Sequence, residues 1–410
     1  MRDAKPLTYR ERILCRLCGA RMSKVFALAP TPIANEYAAK PDHGSAKYPL
    51  ELSQCSRCGH VQQRLTFDNL FADYKYATPA TVARYLAPTA VALKERYPRA
   101  SRVLEIGSNN GTYLKVLREA GFQAAGIDPA ATGDDNLEAY FTLDWAQQHN
   151  VRYDLILANN VFAHIDDLYN TFRGALVVLA RGGAIIFEVQ YFPALVAAGT
   201  FDMIYHEHMS YHTVYPLARF ARRLGMAMSH WEYIPQHGGS IRVTFTRNGD
   251  GVEMPFHERT INWSIFTERV NAVKKRVREM LEGRKVVLLG AAAKVTTMIH
   301  HCGIEDNILY ACDDTPEKQG RYIPGTNIQI RPTSELGDNP ALLGAWNFAK
   351  EFREMFPKNE LLNPYPEEQQ CDVNEMIRSL SASLGAGTGE MSGHRLSRAL
   401  AWRSGSQAGT

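Results

Sequence analysis

Apolar residues in this chain gather in short runs, separated by stretches where they recur every three or four positions. Residues 103–106 form one buried-strand run, 112–120 carry apolar positions at helical spacing, and a second run closes on Asp128. The order then repeats. Residues 153–158 are a strand run and 168–180 have helical spacing up to a stop at Arg181-Gly182-Gly183. Residues 184–189 are the next strand, with Glu188 near its end. Such alternation of two periods predicts a doubly wound α/β unit. Residues 226–231 and 241–245 read as a closing antiparallel pair joined by His237-Gly238-Gly239-Ser240. A charged amphipathic helix over 261–281 then acts as linker to a second strand–loop–helix–strand unit: 285–289, a small-residue loop ending on Lys294, a helix over 295–301, and a strand over 308–311 that ends at Asp313-Asp314.

The first loop carries chemistry. It reads Glu105-x-Gly107-x-Asn109-x-Gly111, with Asp128 ending the following strand. Glycines let the backbone approach a ligand closely, and an acid about 20 residues on can accept both ribose hydroxyls. The spacing is not G-x-G-x-x-G, which presses a helix N-terminus against pyrophosphate. It suits a nucleoside ligand without phosphates, of which S-adenosylmethionine is the common one. A dinucleotide site and a ligand-free turn are the competing readings. Asn159 belongs to the same candidate site, because it ends a central strand where open α/β sheets bind ligands.

Two further stretches stand out. Cys15-x-x-Cys18-Gly19 and Cys55-x-x-Cys58-Gly59 are two knuckles, giving four thiolates for one tetrahedral zinc with no open position, hence a structural metal; a redox dithiol and an iron–sulfur cluster are the competing readings. Tyr205-His206-Glu207-His208 groups two imidazoles, a carboxylate and a phenol. It can be a weak H-x-H metal site, an ordinary surface loop, or a site with a general base and its orienting acid. If extended, it places Glu207 and His208 on opposite sides, so a turn or helix start is expected. His206 and His208 compete for the role of base. Tyr74 and Tyr76 precede the glycine-loop unit and either pack there or cover the cleft. Lys294, at a helix N-terminus, either meets a phosphate or belongs to a supporting repeat.

Bulk properties narrow the field. The chain has 410 residues and a formal net charge of +3, which predicts two or three domains and gives no electrostatic argument for nucleic acid or membrane binding. No apolar run reaches the roughly 18 residues of a transmembrane helix, and the charged first residues do not resemble a signal peptide, so a cytoplasmic protein is expected. Clustering of four of the seven cysteines favours metal over disulfides in that compartment. From about residue 369 the chain turns to small and basic residues, and a disordered tail is expected.

In order, the double Cys knuckle, E-I-G-S-N-N-G, N-N-V-F-A-H-I, Y-H-E-H and G-A-A-A-K resemble the sugar C-methyltransferases that make branched deoxysugars on nucleotide carriers. The resemblance implies an α/β protein of three parts: a zinc-binding domain over 12–70, a Rossmann-like methyltransferase domain over 71–255, and a C-terminal Rossmann-like domain over 256–368 that helps hold the nucleotide sugar. The 369–410 ending does not look like the family's. The substrate implied is a nucleotide-linked 4-keto sugar, usually on dTDP, and the cofactor S-adenosylmethionine. By motif match His208 is the base, with Tyr205, Glu207 and His164 as companions. Tyr76 joins Glu105, Gly107, Asn109, Gly111, Asp128 and Asn159 near the cofactor, and Lys294, His237 and Arg242 face the sugar nucleotide. A monomer without nucleic-acid or membrane partners is expected. The competing functions are a methyltransferase for nitrogen, oxygen or RNA, a nucleotide-sugar epimerase or dehydratase, and an inactive zinc-ribbon binding protein.

Overall fold

The computed structural model describes residues 8–42, 44–68, 70, 80–247, 251–252 and 256–366. Its largest sheet has seven strands among the described residues, in the order Ala227–Ile234, Ser240–Thr246, Leu179–Gln190, Tyr153–Asn159, Arg102–Ile106, Gln123–Asp128, Asn136–Glu138. The first two are antiparallel, and the remainder run parallel from Leu179–Gln190 onward.

Side-chain alternation along these strands divides them between two layers. Leu104, Ile156, Ile185 and Phe187 bury one face against Phe172, Ala175 and Val178 of the helix Leu168–Val178. Val103, Leu155 and Ile186 bury the other against Leu114 and Leu117 of the helix Thr112–Glu119 and Ala90 of the helix Ala80–Arg96. The period of two puts Glu105 and Glu188 on that second face, at the carboxyl ends of their strands.

The expected stop at Arg181-Gly182-Gly183 is instead a bulge. The helix ends at Val178, and Leu179 already pairs with Tyr153. The register then shifts before Ala184, with Gly182 at φ +80°. A left-handed glycine absorbs the extra residues within the strand.

The N-terminal part builds a second, antiparallel sheet: Met22–Thr31, Tyr48–Cys55, Val61–Gln63 and Ser210–Tyr211. The last strand comes from much later in the chain, immediately after Tyr205-His206-Glu207-His208. Its two residues pair with Gln62 and Val61. A two-residue strand has no detectable period, so the sequence offers no sign of it.

The helix Trp263–Leu281 buries Phe266, Val270, Val273, Val277 and Leu281 along one stripe, and Asn262 caps it by accepting from the Ile265 N–H at 3.1 Å. It leads to a third sheet of five parallel strands: Ile330–Arg331, Ile308–Cys312, Val286–Leu289, Ala341–Leu343 and Leu361–Leu362. Phe26, Leu50 and Leu52 of the N-terminal sheet share one apolar core with Phe266 and Val286–Leu289. The N-terminal and C-terminal parts are therefore packed on each other, and both border the carboxyl edge of the central sheet.

Candidate active site

The glycine loop is shaped by left-handed backbone. Gly107 has φ +79°, and a Cβ there would lie 2.1 Å from Val161 Cγ2, so no other residue fits. Gly111, at φ +73°, caps the helix Thr112–Glu119, and Asn109 and Asn160 also have positive φ. Glu105 is buried between the layers, and its Oε2 has no hydrogen-bond partner among the described residues. Burial, aided by the Asp128 charge, pushes its carboxyl up to about 8. Asp128 holds the Ala130 N–H at 2.7 Å through Oδ1. Asn159 lies half-buried at the end of its strand.

A buried carboxyl with one oxygen unpartnered, beside a second acid, is costly unless a donor-rich ligand answers it. The ribose hydroxyls and amino-acid ammonium of S-adenosylmethionine are such donors. The residues present fit that group.

Downstream of the last parallel strand, Tyr205-His206-Glu207-His208 forms a turn closed by the His208 N–H on the Tyr205 carbonyl at 2.9 Å. The turn sends the four side chains to different places. His208 donates from Nδ1 to the Met203 carbonyl at 2.9 Å, because a carbonyl can only accept. Its Nε2 therefore carries the lone pair and accepts the Tyr205 hydroxyl at 2.7 Å. Burial, then the neighbouring His164, holds the His208 imidazolium well below the ordinary histidine range, so the ring is neutral. His164 donates from Nδ1 to the Glu207 carbonyl at 2.7 Å, with its ring 4.9 Å from that of His208.

Glu207 points into the N-terminal part. Its Oε1 accepts from both the backbone N–H and the side-chain amide of Asn35, at 2.8 and 3.0 Å. Burial raises the Glu207 carboxyl to about 7 against those donors. His206 also points that way, lying edge-on to Tyr48 and Phe67, with Nε2 on the Pro49 carbonyl at 3.3 Å and Nδ1 by Thr31 Oγ1 at 3.5 Å.

The remaining walls come from the antiparallel pair and the C-terminal sheet. Arg242 forms 2.9 Å ion pairs with Glu188 and Glu232, and the Tyr85 hydroxyl donates to the same Glu188 oxygen at 2.6 Å. His237, at φ 56°, is near enough to Glu188 and Lys294 to feel both charges. Lys294 begins the helix Lys294–Cys302 but turns inward. It donates to Asn347, lies 4.0 Å over the Trp346 ring, and is lowered to about 8 by burial, against the pull of Asp202. The structure thus links the predicted residues by neighbouring pairs: Glu105 with Asp128, His208 with Tyr205, His164 and His237, and His237 with Lys294 and the Glu188–Arg242 ion pair. It turns the side chains of His206 and Glu207 into the N-terminal part, and Tyr76 lies outside the described residues.

Asn35, Asp202 and Trp346 were invisible in the sequence, being single residues outside any motif. Glu188 had one signal, its place at a strand's carboxyl end.

The four knuckle cysteines converge. All Sγ atoms lie within 4.8 Å of one another, with Cys15–Cys58 at 3.6 Å and Cys18–Cys55 at 3.4 Å. Tetrahedral Zn–S bonds of about 2.3 Å require sulfurs roughly 3.8 Å apart, so the set fits zinc and leaves no open position. Gly19 and Gly59, at φ +72° and +84°, close the knuckles by donating to the Cys15 and Cys55 carbonyls. Arg16, between the first two ligands, is buried and donates to the Gln63 and Met209 carbonyls and to Thr66. Met209 directly follows His208, so the knuckle grips the Tyr205–His208 turn.

Three family models match in succession. They are "Putative zinc binding domain" over residues 15–69, "Methyltransferase domain" over 74–230 and "C-methyltransferase C-terminal domain" over 235–359. The C-methyltransferase NovU of Streptomyces niveus is 29% identical, across 82% of this chain and 90% of that protein. An O-methyltransferase family protein from Burkholderia thailandensis aligns at 15% identity and TM-score 0.33, over 44% of this chain and 60%, under two thirds, of its own. The plantazolicin methyltransferase BpumL in complex with SAH aligns at 12% and 0.33, over 42% and 86%. The domain matches, the glycine loop and the orphaned acid define a methyltransferase that uses S-adenosylmethionine. More narrowly, the chain is a C-methyltransferase with an N-terminal domain that binds structural zinc.

Proposed function

We propose that the enzyme methylates a ring carbon next to the ketone of a nucleotide-linked 4-keto deoxysugar, with dTDP as carrier, in branched-sugar biosynthesis. The observation that carries this reading is the neutral His208, whose Nδ1–H is held by the Met203 carbonyl and whose Nε2 lone pair takes the Tyr205 hydroxyl. A ketone acidifies the neighbouring C–H. His208 Nε2 takes that proton, and the bonding electrons pass to the ketone oxygen. Tyr205, released from His208 as substrate enters, donates to the developing enolate oxygen. His164 lines the same pocket and binds a sugar hydroxyl, while Glu207, anchored by Asn35, fixes the turn. When bound, S-adenosylmethionine would supply an electrophilic methyl group, and Glu105, Gly107, Asn109, Gly111, Asp128, Asn159 and Tyr76 would hold the cofactor. Lys294, His237 and Arg242 face the nucleotide sugar, with Lys294 exchanging Asn347 for a diphosphate oxygen.

In this reading the working units are residues 12–70, 71–255 and 256–368. The protein acts as a cytoplasmic monomer. No helix among the described residues is long and apolar enough to cross a membrane.

The test separates proton removal from methyl transfer. In deuterated water, with S-adenosylhomocysteine bound, the wild type exchanges the proton next to the sugar ketone. His208→Asn binds both ligands but loses exchange and methylation. Near-wild-type turnover in that variant overturns the assignment.

A further inference from the structure

Asp202 has no place in the proposed chemistry, yet it is a fully buried carboxylate one residue before the carbonyl that orients His208. It lies in the single 3-10 turn Phe201–Met203. Two donors from the C-terminal part hold it: the Trp346 indole N–H at 2.6 Å on Oδ2 and the Tyr365 hydroxyl at 2.7 Å on Oδ1. Their rings lie 4.8 Å apart, and both residues are as buried as Asp202. Two neutral donors, one on each oxygen, with the Lys294 charge nearby, are what a buried carboxylate requires to remain in place.

We infer that Asp202, gripped by Trp346 and Tyr365, is a positioning residue that fixes the ring orientation and Nδ1–H tautomer of His208 through the adjoining Met203 carbonyl. This rests on the reading of His208 as base. The argument is geometric. The His208 tautomer is decided by what its Nδ1 meets, and that partner is a main-chain carbonyl whose direction follows the turn carrying it. The turn's own backbone bonds are local: Phe201 N–H to the Gly199 carbonyl at 2.7 Å, Met203 N–H to the Thr200 carbonyl at 3.2 Å and Ile204 N–H to the Phe201 carbonyl at 2.9 Å. The Asp202 side chain adds two bonds to a different part of the protein. Trp346 also underlies Lys294 and presses against Gly238, where a Cβ would come within 2.6 Å of its ring. One indole thus braces both the base and the His237 loop opposite it.

The test uses the full, zinc-loaded chain with S-adenosylhomocysteine bound. Imidazole nitrogen NMR, assigned with His208→Gln, reads the His208 tautomer, and steady-state kinetics run in parallel with a nucleotide 4-keto sugar. Tyr365→Phe removes one hydroxyl and leaves the ring packing, and Asp202→Asn keeps the shape. Both are expected to convert the single Nδ1–H form of His208 into a mixture. They should lower kcat about tenfold, as misplacement of a reacting group does, with KM changed less than about twofold and S-adenosylhomocysteine affinity unchanged. A wild-type His208 spectrum in both variants overturns the inference. So does a rise in KM at constant kcat. A wild-type rate in His208→Asn overturns the base assignment instead, and the NMR result still decides the positioning claim.

Discussion

The Tyr205 hydroxyl lies 2.7 Å from His208 Nε2, and one four-residue turn carries both groups. This pairing separates the two histidines that the sequence leaves equivalent. His208 has Nδ1 committed to a carbonyl and Nε2 held by a side-chain hydroxyl that can rotate away, whereas both His206 nitrogens are occupied within the N-terminal sheet.

The first prediction follows from that difference. His206→Ala should destabilise the protein by about 1–3 kcal/mol through lost packing and lost hydrogen bonds. In the protein that remains folded, kcat should stay near wild type. Urea unfolding and turnover measured on the same preparations check it, and abolished turnover in fully folded protein would return His206 to the active site.

Asn35 is a test of the N-terminal part's role. Asn35→Ala removes the side-chain amide from Glu207 and leaves a buried acid with one donor fewer, a loss of about 1–3 kcal/mol in stability. Turnover should fall, because the Glu207 carbonyl also sets His164, while S-adenosylmethionine affinity holds. Calorimetry beside kinetics reads the split, and weakened cofactor binding would contradict it.

Zinc removal should act at a distance. Purified reduced protein should contain about one zinc per chain, held by Cys15, Cys18, Cys55 and Cys58. Because Arg16 and the strand Ser210–Tyr211 tie the knuckles to the catalytic turn, chelation should abolish methylation and expose amides of 210–211 to hydrogen exchange. Retained protection there without metal would show the tie to be weak. Metal-free protein with full activity would remove zinc from the account altogether.

Asp128→Ala should weaken S-adenosylmethionine binding by about 1.5–3 kcal/mol, the scale for hydrogen bonds to a charged group. An unchanged dissociation constant would mean that the acid serves only the Ala130 turn.

The last prediction concerns pH. Glu258 is buried, accepts from the Tyr191 hydroxyl and the Tyr215 N–H, and is raised by burial from 4.5 to about 7. A raised carboxyl binds its proton more tightly in the folded state. Its stabilising contribution is present below pH about 4.5 and is lost as pH rises toward 7, up to about 3 kcal/mol. Glu105 and Glu207 shift in the same direction, so the comparison is with Glu258→Gln, which should flatten the stability profile over this window. Parallel profiles for the two proteins would refute the assignment.

Sequence alone determined whatever depends on neighbours along the chain. Strand and helix periods, the Gly107–Gly111 loop, the position of Asp128 at a strand end and the two cysteine knuckles are each set within a few residues, where backbone sterics and side-chain alternation decide the outcome. The tertiary structure decided what depends on residues far apart. It turned His206 toward Pro49 and His208 toward Met203, brought Asn35 to Glu207, made Ser210–Tyr211 an edge of the zinc-bearing sheet, and seated Asp202 on Trp346 and Tyr365. None of these has a periodic or local signature. A buried polar group takes whichever partner the packed chain brings within about 3 Å, and that choice is made only when the three larger sheets meet.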